Sequence, residues 1–175
     1  TEVIAAMFMK HKEQAFQYLR GMFSILIWDK EEKTFYGARD PFGIKPLFYY
    51  EFEDGIAFSS EKKSLTLMLE KEEVHPEALQ HYLSFQYVPE PFTLTKGIKK
   101  AEPGHYFVKK QGEPLKFTRY FHARFNPVLR EKQDWIQKIR DVLYDSVQVH
   151  MRSDVPVGSF LSGGIDSSLI VDRKS

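Results

Sequence analysis

Residues 162–168 read SGGIDSS, which places three hydroxyls, two adjacent glycines and one carboxylate within a single short stretch. Gly163 and Gly164 can adopt backbone angles that other residues avoid, and they let backbone amides approach a ligand closely. Ser162, Ser167 and Ser168 supply hydroxyl donors. A helix beginning behind the glycines would direct its unpaired N–H groups and the positive end of its dipole at the same point. The combination is an anion cradle. Asp166 repels a bare phosphate, so its presence calls for a bridging cation, most economically Mg2+ held between the carboxylate and phosphate oxygens. The expected ligand is a metal-bound pyrophosphate or triphosphate.

Simpler readings of the stretch fit less well. A phosphate loop of the G-x-x-x-x-G-K-[ST] type needs a Lys that does not follow these glycines, which disfavours transfer of a γ-phosphoryl group. The serines are not flanked as in a G-x-S-x-G nucleophile elbow. A Gly-Gly turn with a Ser or Asp cap needs far fewer residues.

The elements that must position this loop lie just before it. Asp134 is placed to cap a helix, with Gln137 three residues on to reach back. Ile136, Ile139, Leu143 and Val147 recur at helical spacing and predict an amphipathic helix of about four turns. Val157 to Leu161 is a short apolar run that predicts a buried parallel strand. The motif therefore sits in a helix, strand, glycine loop, helix context, and DSSLIVDRKS begins a further helix that is marginal at its length. At the other end, TEVIAAMFMKH already shows helical periodicity, with Val3, Ile4, Met7 and Phe8 on one face. Both ends are expected to be internal to a longer polypeptide, and Thr1 reads as an internal helix position rather than as an N-terminal nucleophile.

From Gly21 to about Val108 the chain changes character. Aromatic and β-branched runs (GMFSILIWD, KTFYGARD, KPLFYYEF, GIAFSSE, GHYFVKK) alternate with turn signals such as DKEEK and EDG, the pattern of an antiparallel meander. The first run is apolar on both faces and predicts a strand buried on both sides. Helices are expected over Glu61–Leu69 and Pro76–Ser84, the second with Pro at its first position. This first block is mixed β and α. In ARDPFGIKPLFYY, Asp40-Pro41 opens a turn and Gly43 can supply positive φ. Arg39 and Asp40 either orient a loop at a substrate pocket or form an ion pair that pins the turn. Glu61 is equally open, since Ser59 or Ser60 can cap the helix after it.

Composition bounds the partners. The 175 residues are 42% hydrophobic and 28% charged, with 25 Lys and Arg against 24 Asp and Glu, a net charge of +1. That balance supports neither a nucleic-acid nor a membrane partner, and KKAEPGHYFVKK reads as a solvated face. No apolar stretch approaches the length of a membrane span and no signal peptide is present, so a cytoplasmic location is expected. There are no cysteines, which excludes disulfides, thiolate metal sites and a cysteine nucleophile within these residues. His11, His75, His81, His105, His122 and His150 show no paired ligand spacing and read as surface or satisfied core residues.

SGGIDSS resembles the PP-loop of the ATP pyrophosphatases, which cleave ATP between its α and β phosphates and adenylate a carboxylate or amide. That motif is shared among several synthetases. LRGMFSILIWD followed by ARDPFGIKPLFYY and FSSEKKSL closely resembles the C-terminal portion of a class II glutamine amidotransferase domain. Joined in this order to DVPVGSFLSGGIDSS, the chain is similar to the glutamine-dependent asparagine synthetases from Thr1 to about Leu169.

The resemblance implies an α+β fold: part of an N-terminal-nucleophile αββα sandwich over residues 1–120, a linker over 121–133, and the start of an α/β PP-loop ATP pyrophosphatase domain, adenine nucleotide α-hydrolase-like, over 134–175. It implies an amide-forming ligase of amino-acid biosynthesis that takes ATP, L-aspartate and L-glutamine, uses Mg2+, and allows a homodimer when full length. Leu161 and Ser162 would lie at the nucleotide, Ser162, Gly163, Gly164, Asp166, Ser167 and Ser168 around the pyrophosphate, and Asp166 on Mg2+. The family's glutaminase nucleophile is an N-terminal Cys, which these residues lack, as they lack its NGEIYN-type glutamine-binding segment and the Asp expected just before TEVI. VDRKS does not resemble the family's continuation. A β-lactam-synthetase-like relative or a non-catalytic scaffold of the same fold is the alternative.

Overall fold

The computed structural model describes residues 2–53 and 55–174; Thr1, and with it any nucleophile at that position, lies outside them. The chain divides into two compact units, Thr1–Ala123 and Arg124–Ser175.

Unit 1 is a mixed α/β structure with two antiparallel sheets. Helix α1 (Glu2–His11) runs into a 3-10 helix (Lys12–Tyr18). Strands β1 (Ser24–Asp29) and β2 (Thr34–Arg39) form a hairpin, and β6 (His105–Lys110) and β7 (Lys116–Arg119) extend it in the order β1-β2-β6-β7. A second sheet has the order β4-β3-β5, from β3 (Phe48–Phe52), β4 (Gly55–Ser59) and β5 (Ile98–Lys100). Helices α2 (Lys62–Thr66) and α3 (Pro76–Phe85) lie between β4 and β5 in the chain.

The period-2 alternation of the strands sorts the core into layers. Ile25, Tyr36 and Ala38 face α1 and the 3-10 helix, where Phe8 meets Tyr36 edge-on at 4.8 Å and Phe16 lies 5.8 Å from Tyr106. Phe35, Phe107 and Phe117 face the second sheet, where Phe58 stacks on Phe107 at 4.7 Å and Tyr49 lies 5.3 Å from Phe117. An aromatic layer thus joins the two sheets.

Several expectations are corrected. Strand β1 is not buried on both sides: Ile25 is buried against the helices, but Leu26 and Trp28 remain 45% and 47% exposed. Among the described residues β1 is an edge strand, paired only with β2, and the second sheet does not cover its other face. The first helical stretch is shorter than expected, Lys62–Thr66, and Val3 of α1 stays exposed while Phe8 is buried. Strands β5 and β7 escape the sequence reading because they are short and carry Lys and Arg. The Nδ1 of His81 is buried near Phe85 and Phe92 without a hydrogen-bond partner, unlike a satisfied core histidine.

Unit 2 consists of α4 (Lys132–His150) and α5 (Ile165–Lys174). Helix α4 starts earlier than expected: Glu131 is its N-cap without a side-chain bond, and Gln137 donates to Asp141 at 2.8 Å instead of reaching back to Asp134. Of the expected stripe, Ile136, Leu143 and Val147 are half-buried, while Ile139 is 54% exposed. Val157 to Leu161 forms no strand, and Phe160 and Leu161 are exposed. An isolated strand cannot satisfy its backbone groups through a ladder, and among the described residues this segment belongs to neither sheet.

Candidate functional site

The loop of unit 2 is positioned by the start of α5. Gly163 takes φ +81° while Gly164 does not enter the left-handed region, so the turn depends on Gly163. Nothing lies within 4 Å of the space a Cβ at Gly163 would occupy, so this glycine is required by its φ rather than by crowding. Gly164 is the last residue before the helix. Its carbonyl accepts from the N–H of Ser168 at 3.1 Å, from Ser167 Oγ at 3.1 Å and from Ser168 Oγ at 2.8 Å. Ser162 Oγ lies 2.9 Å from Ser167 Oγ and accepts from the Gly164 N–H at 3.5 Å.

This geometry brings Ser162, Gly163, Gly164, Asp166, Ser167 and Ser168 into one turn, with Leu161 exposed at its edge. The first-turn amides of α5, those of Ile165, Asp166 and Ser167, have no intrahelical acceptor, as at any helix N-terminus. The hydroxyls of Ser167 and Ser168 are engaged inside the loop, on Gly164. To serve an anion they must rotate, whereas the amides point outward already. Asp166 stands exposed in the first turn of α5. The described residues contain no group of three or more His, Asp or Glu able to hold a metal by themselves. A single carboxylate among hydroxyls suits Mg2+ shared with a phosphate, because that ion keeps several waters and takes few protein ligands.

Unit 1 carries a second constellation that the sequence placed only loosely. Arg39 and Asp40 are each 1% exposed. They form no ion pair with one another; each is satisfied separately. The Asp40 carboxylate accepts the N–H groups of Phe42 (3.1 Å), Ile44 (3.0 Å) and Lys45 (2.9 Å). Burial disfavours its charge, but these amides together outweigh burial and hold the carboxyl below its usual range. The Arg39 guanidinium donates to the carbonyls of Lys45 (2.7 Å), Gly43 (2.6 Å) and Ala101 (2.5 Å), and to Glu90 Oε1 (2.9 Å). Lys100 Nζ reaches the same Glu90 oxygen at 2.6 Å. Gly43 has φ +65°, and a Cβ there would meet Arg39 Nη2 at 2.8 Å, so the turn requires glycine. Tyr120 donates its hydroxyl to the Arg39 carbonyl at 2.7 Å, and burial, then the Asp40 charge, push its pKa upward.

Beside this turn a cleft of about 680 Å³ runs along β1, lined by residues 22–27, by Ile4 and Ala5 of α1, and by Lys45, Pro46 and Ser60. Glu61 does not enter it; its N–H donates to Ser59 Oγ at 3.0 Å, a turn bond ahead of α2. Sequence reasoning missed Glu90, Ala101 and Tyr120 as partners of Arg39, and nothing near them in the chain signals the contact.

Comparison with known proteins places these features in context. Residues 1–121 match the family model described as glutamine amidotransferase domain, and residues 138–172 match the one described as asparagine synthase. The chain is 54% identical over 171 residues to the glutamine-hydrolyzing asparagine synthetase 1 of Bacillus subtilis, an alignment that covers 98% of this chain and 27% of that protein. It is 44% identical to a putative glutamine-hydrolyzing asparagine synthetase of Mycobacterium bovis (97% of this chain, 27% of that protein). It is 34% identical to a putative glutamine-hydrolyzing asparagine synthetase 2 of Methanocaldococcus jannaschii (98% and 34%). The chain therefore spans about a quarter to a third of the length of these curated relatives.

Proposed function

Because this chain belongs to the glutamine amidotransferase domain family and continues into a segment matching asparagine synthase, we propose that it is part of a glutamine-hydrolysing asparagine synthetase. The observation that carries the reading is the order of the two matched segments in one chain, with the SGGIDSS loop at the start of the second. In this reading residues 1–120 belong to an N-terminal-nucleophile αββα sandwich, residues 121–133 link it onward, and residues 134–175 open a PP-loop ATP pyrophosphatase domain. The layering of α1 and the 3-10 helix on one sheet, and of that sheet on a second, supports the sandwich.

The complete reaction joins ammonia from glutamine to the side-chain carboxylate of aspartate. A carboxylate is a poor electrophile until one of its oxygens becomes part of a good leaving group. The aspartate oxygen attacks the α-phosphorus of ATP, pyrophosphate departs, and the resulting acyl adenylate is attacked by ammonia with loss of AMP. The role of this chain in that step is to hold the leaving pyrophosphate. The turn at Gly163, the amide of Gly164 and the first-turn amides of α5 offer donors to its oxygens, and preorganised donors are worth most where charge develops. Leu161 and Ser162 lie at the nucleotide in this reading. Asp166 would hold Mg2+, which when bound neutralises charge on the phosphate oxygens.

Glutamine hydrolysis requires a nucleophile, and these 175 residues contain no Cys; in this reading it is supplied by polypeptide beyond them. The cleft along β1 belongs to that half of the reaction. The substrates are small molecules, no helix among the described residues is long and apolar enough to cross a membrane, and we place the enzyme in the cytoplasm.

The test uses the full-length protein with aspartate, ATP, Mg2+ and either glutamine or ammonia. Asparagine, AMP and pyrophosphate should form in equal amounts with both nitrogen sources, with one glutamate released per asparagine in the first case. Release of ADP and phosphate in place of AMP and pyrophosphate, or absence of asparagine, would reject the reading.

A further inference from the structure

We infer that Arg39 is a positioning residue for the cleft along β1, because it ties two of the segments that line it, β1 and residues 45–46, to one buried guanidinium. Arg39 ends β2 and sits opposite Ser24 in the β1–β2 register. Through the next residue, Asp40 N–H donates to the Phe23 carbonyl at 2.9 Å. The backbone of residues 39 and 40 is therefore fastened to the Phe23–Ser24 wall.

The Arg39 side chain is fastened to the 45–46 segment of the lining. Its Nε and Nη2 take the carbonyls of Lys45 and Gly43. The carbonyls of the 40–46 turn are thus held by Arg39 while its amides are held by Asp40. Lys45 and Pro46, the cleft residues of that turn, are thereby linked to β1 through Arg39 and Asp40. The remaining donors bond Ala101 and Glu90, and Lys100 shares Glu90, so the turn is also braced from behind. A planar fork with five donors can span these separated acceptors; a lysine ammonium, a single point, cannot. Losing the fork would leave buried carbonyls unpaired unless the wall moves outward to meet water.

The inference deepens the reading that unit 1 serves glutamine hydrolysis and rests on it for its kinetic consequence alone. In the full-length protein, Arg39→Lys should raise the KM for glutamine at least fivefold while changing kcat for glutamate release less than twofold, the signature of a binding wall displaced without loss of the reacting groups. Ammonia-dependent asparagine formation should stay within twofold of the unaltered protein. Hydrogen exchange followed by mass spectrometry should show faster exchange in peptides covering 40–46, with α1 unchanged. Should Arg39→Lys fail to fold, Glu90→Gln, which keeps an acceptor but removes its charge, is expected to shift KM and the 40–46 exchange in the same direction by a smaller factor.

Equal loss of glutamine- and ammonia-dependent activities, or unchanged exchange at 40–46, overturns the inference. If the unaltered protein does not hydrolyse glutamine, the proposed function falls, and the exchange at 40–46 alone decides whether Arg39 holds the wall.

Discussion

The ring of Phe107 occupies the space that a side chain at Gly37 would need. The two residues are partners in the β2–β6 register, and a Cβ at position 37 would collide with Phe107 Cζ and Cε1. Phe107 is held in place by the stacked ring of Phe58 and the edge of Phe117. The layer between the sheets therefore depends on a missing side chain.

Gly37→Ala should destabilise the chain by roughly 1 to 3 kcal/mol, the usual cost of overpacking, and lower its melting temperature by several degrees. Adding Phe107→Leu to that variant should restore part of the loss, so that the double variant is less destabilised than the sum of the single ones. Strict additivity in denaturant titrations would refute the contact as the cause.

Asp40 should govern part of the acid limb of stability. Its folded pKa lies below the ordinary value, so its contribution is fully present above about 3.9, the unfolded value, and is lost as pH falls through the lower folded one. Urea midpoints should stay level near neutrality and fall below about pH 4. Asp40→Asn should lower the midpoint at pH 7 and flatten the acid fall, but only in part, because Asp29, Glu32 and Glu73 are also held low by hydrogen bonds. An acid limb of unchanged steepness in the variant would show that Asp40 does not contribute to it.

In the full-length protein, Asp166→Asn should reduce ATP-dependent asparagine formation at least tenfold with glutamine and with ammonia alike, about 1.4 kcal/mol or more of lost transition-state stabilisation. Glutamate release from glutamine should survive, since it needs neither ATP nor this carboxylate. Unchanged synthesis with ammonia would remove Asp166 from the metal site.

The isolated 175-residue chain should bind Mg-pyrophosphate too weakly to detect at millimolar concentration. Residues 157–164 form no regular structure, and ordering such a segment costs roughly 1 to 2 kcal/mol per residue. Amide NMR shifts of Gly163 and Gly164 report the titration directly. A saturable micromolar response would show that the loop is a self-sufficient phosphate site.

The loop was legible in the chain because its parts are contiguous. Seven neighbouring residues are bound to share one turn whatever surrounds them, and Gly163 takes the positive φ its neighbours would resist. The meander was legible for a similar reason, since alternating aromatic and β-branched runs between turn signals specify strands locally. The same pattern misleads at Val157–Leu161, where an apolar run joins neither sheet and Phe160 and Leu161 are exposed. Apolar pattern states what a strand prefers to bury, while a ladder needs a partner, and partners are not encoded in the run itself. The first strand differs in a subtler way: its two apolar faces predict two buried faces, but burial of Leu26 and Trp28 depends on how far the second sheet reaches.

By itself, then, the amino-acid sequence determined the local chemistry: a glycine- and serine-rich turn with one carboxylate, the absence of cysteine from these residues, a glycine turn after Asp40, and a mixed α/β block of antiparallel strands. Only the tertiary structure decided what Arg39 does. Its partners Glu90 and Ala101 lie 51 and 62 residues further along the chain, and a guanidinium has no preference in sequence among the carbonyls and carboxylates it can bond. Folding brings those groups within hydrogen-bond distance by burying unrelated apolar surface around them. The choice between an Arg39–Asp40 ion pair and a braced turn was therefore settled by packing far from both residues.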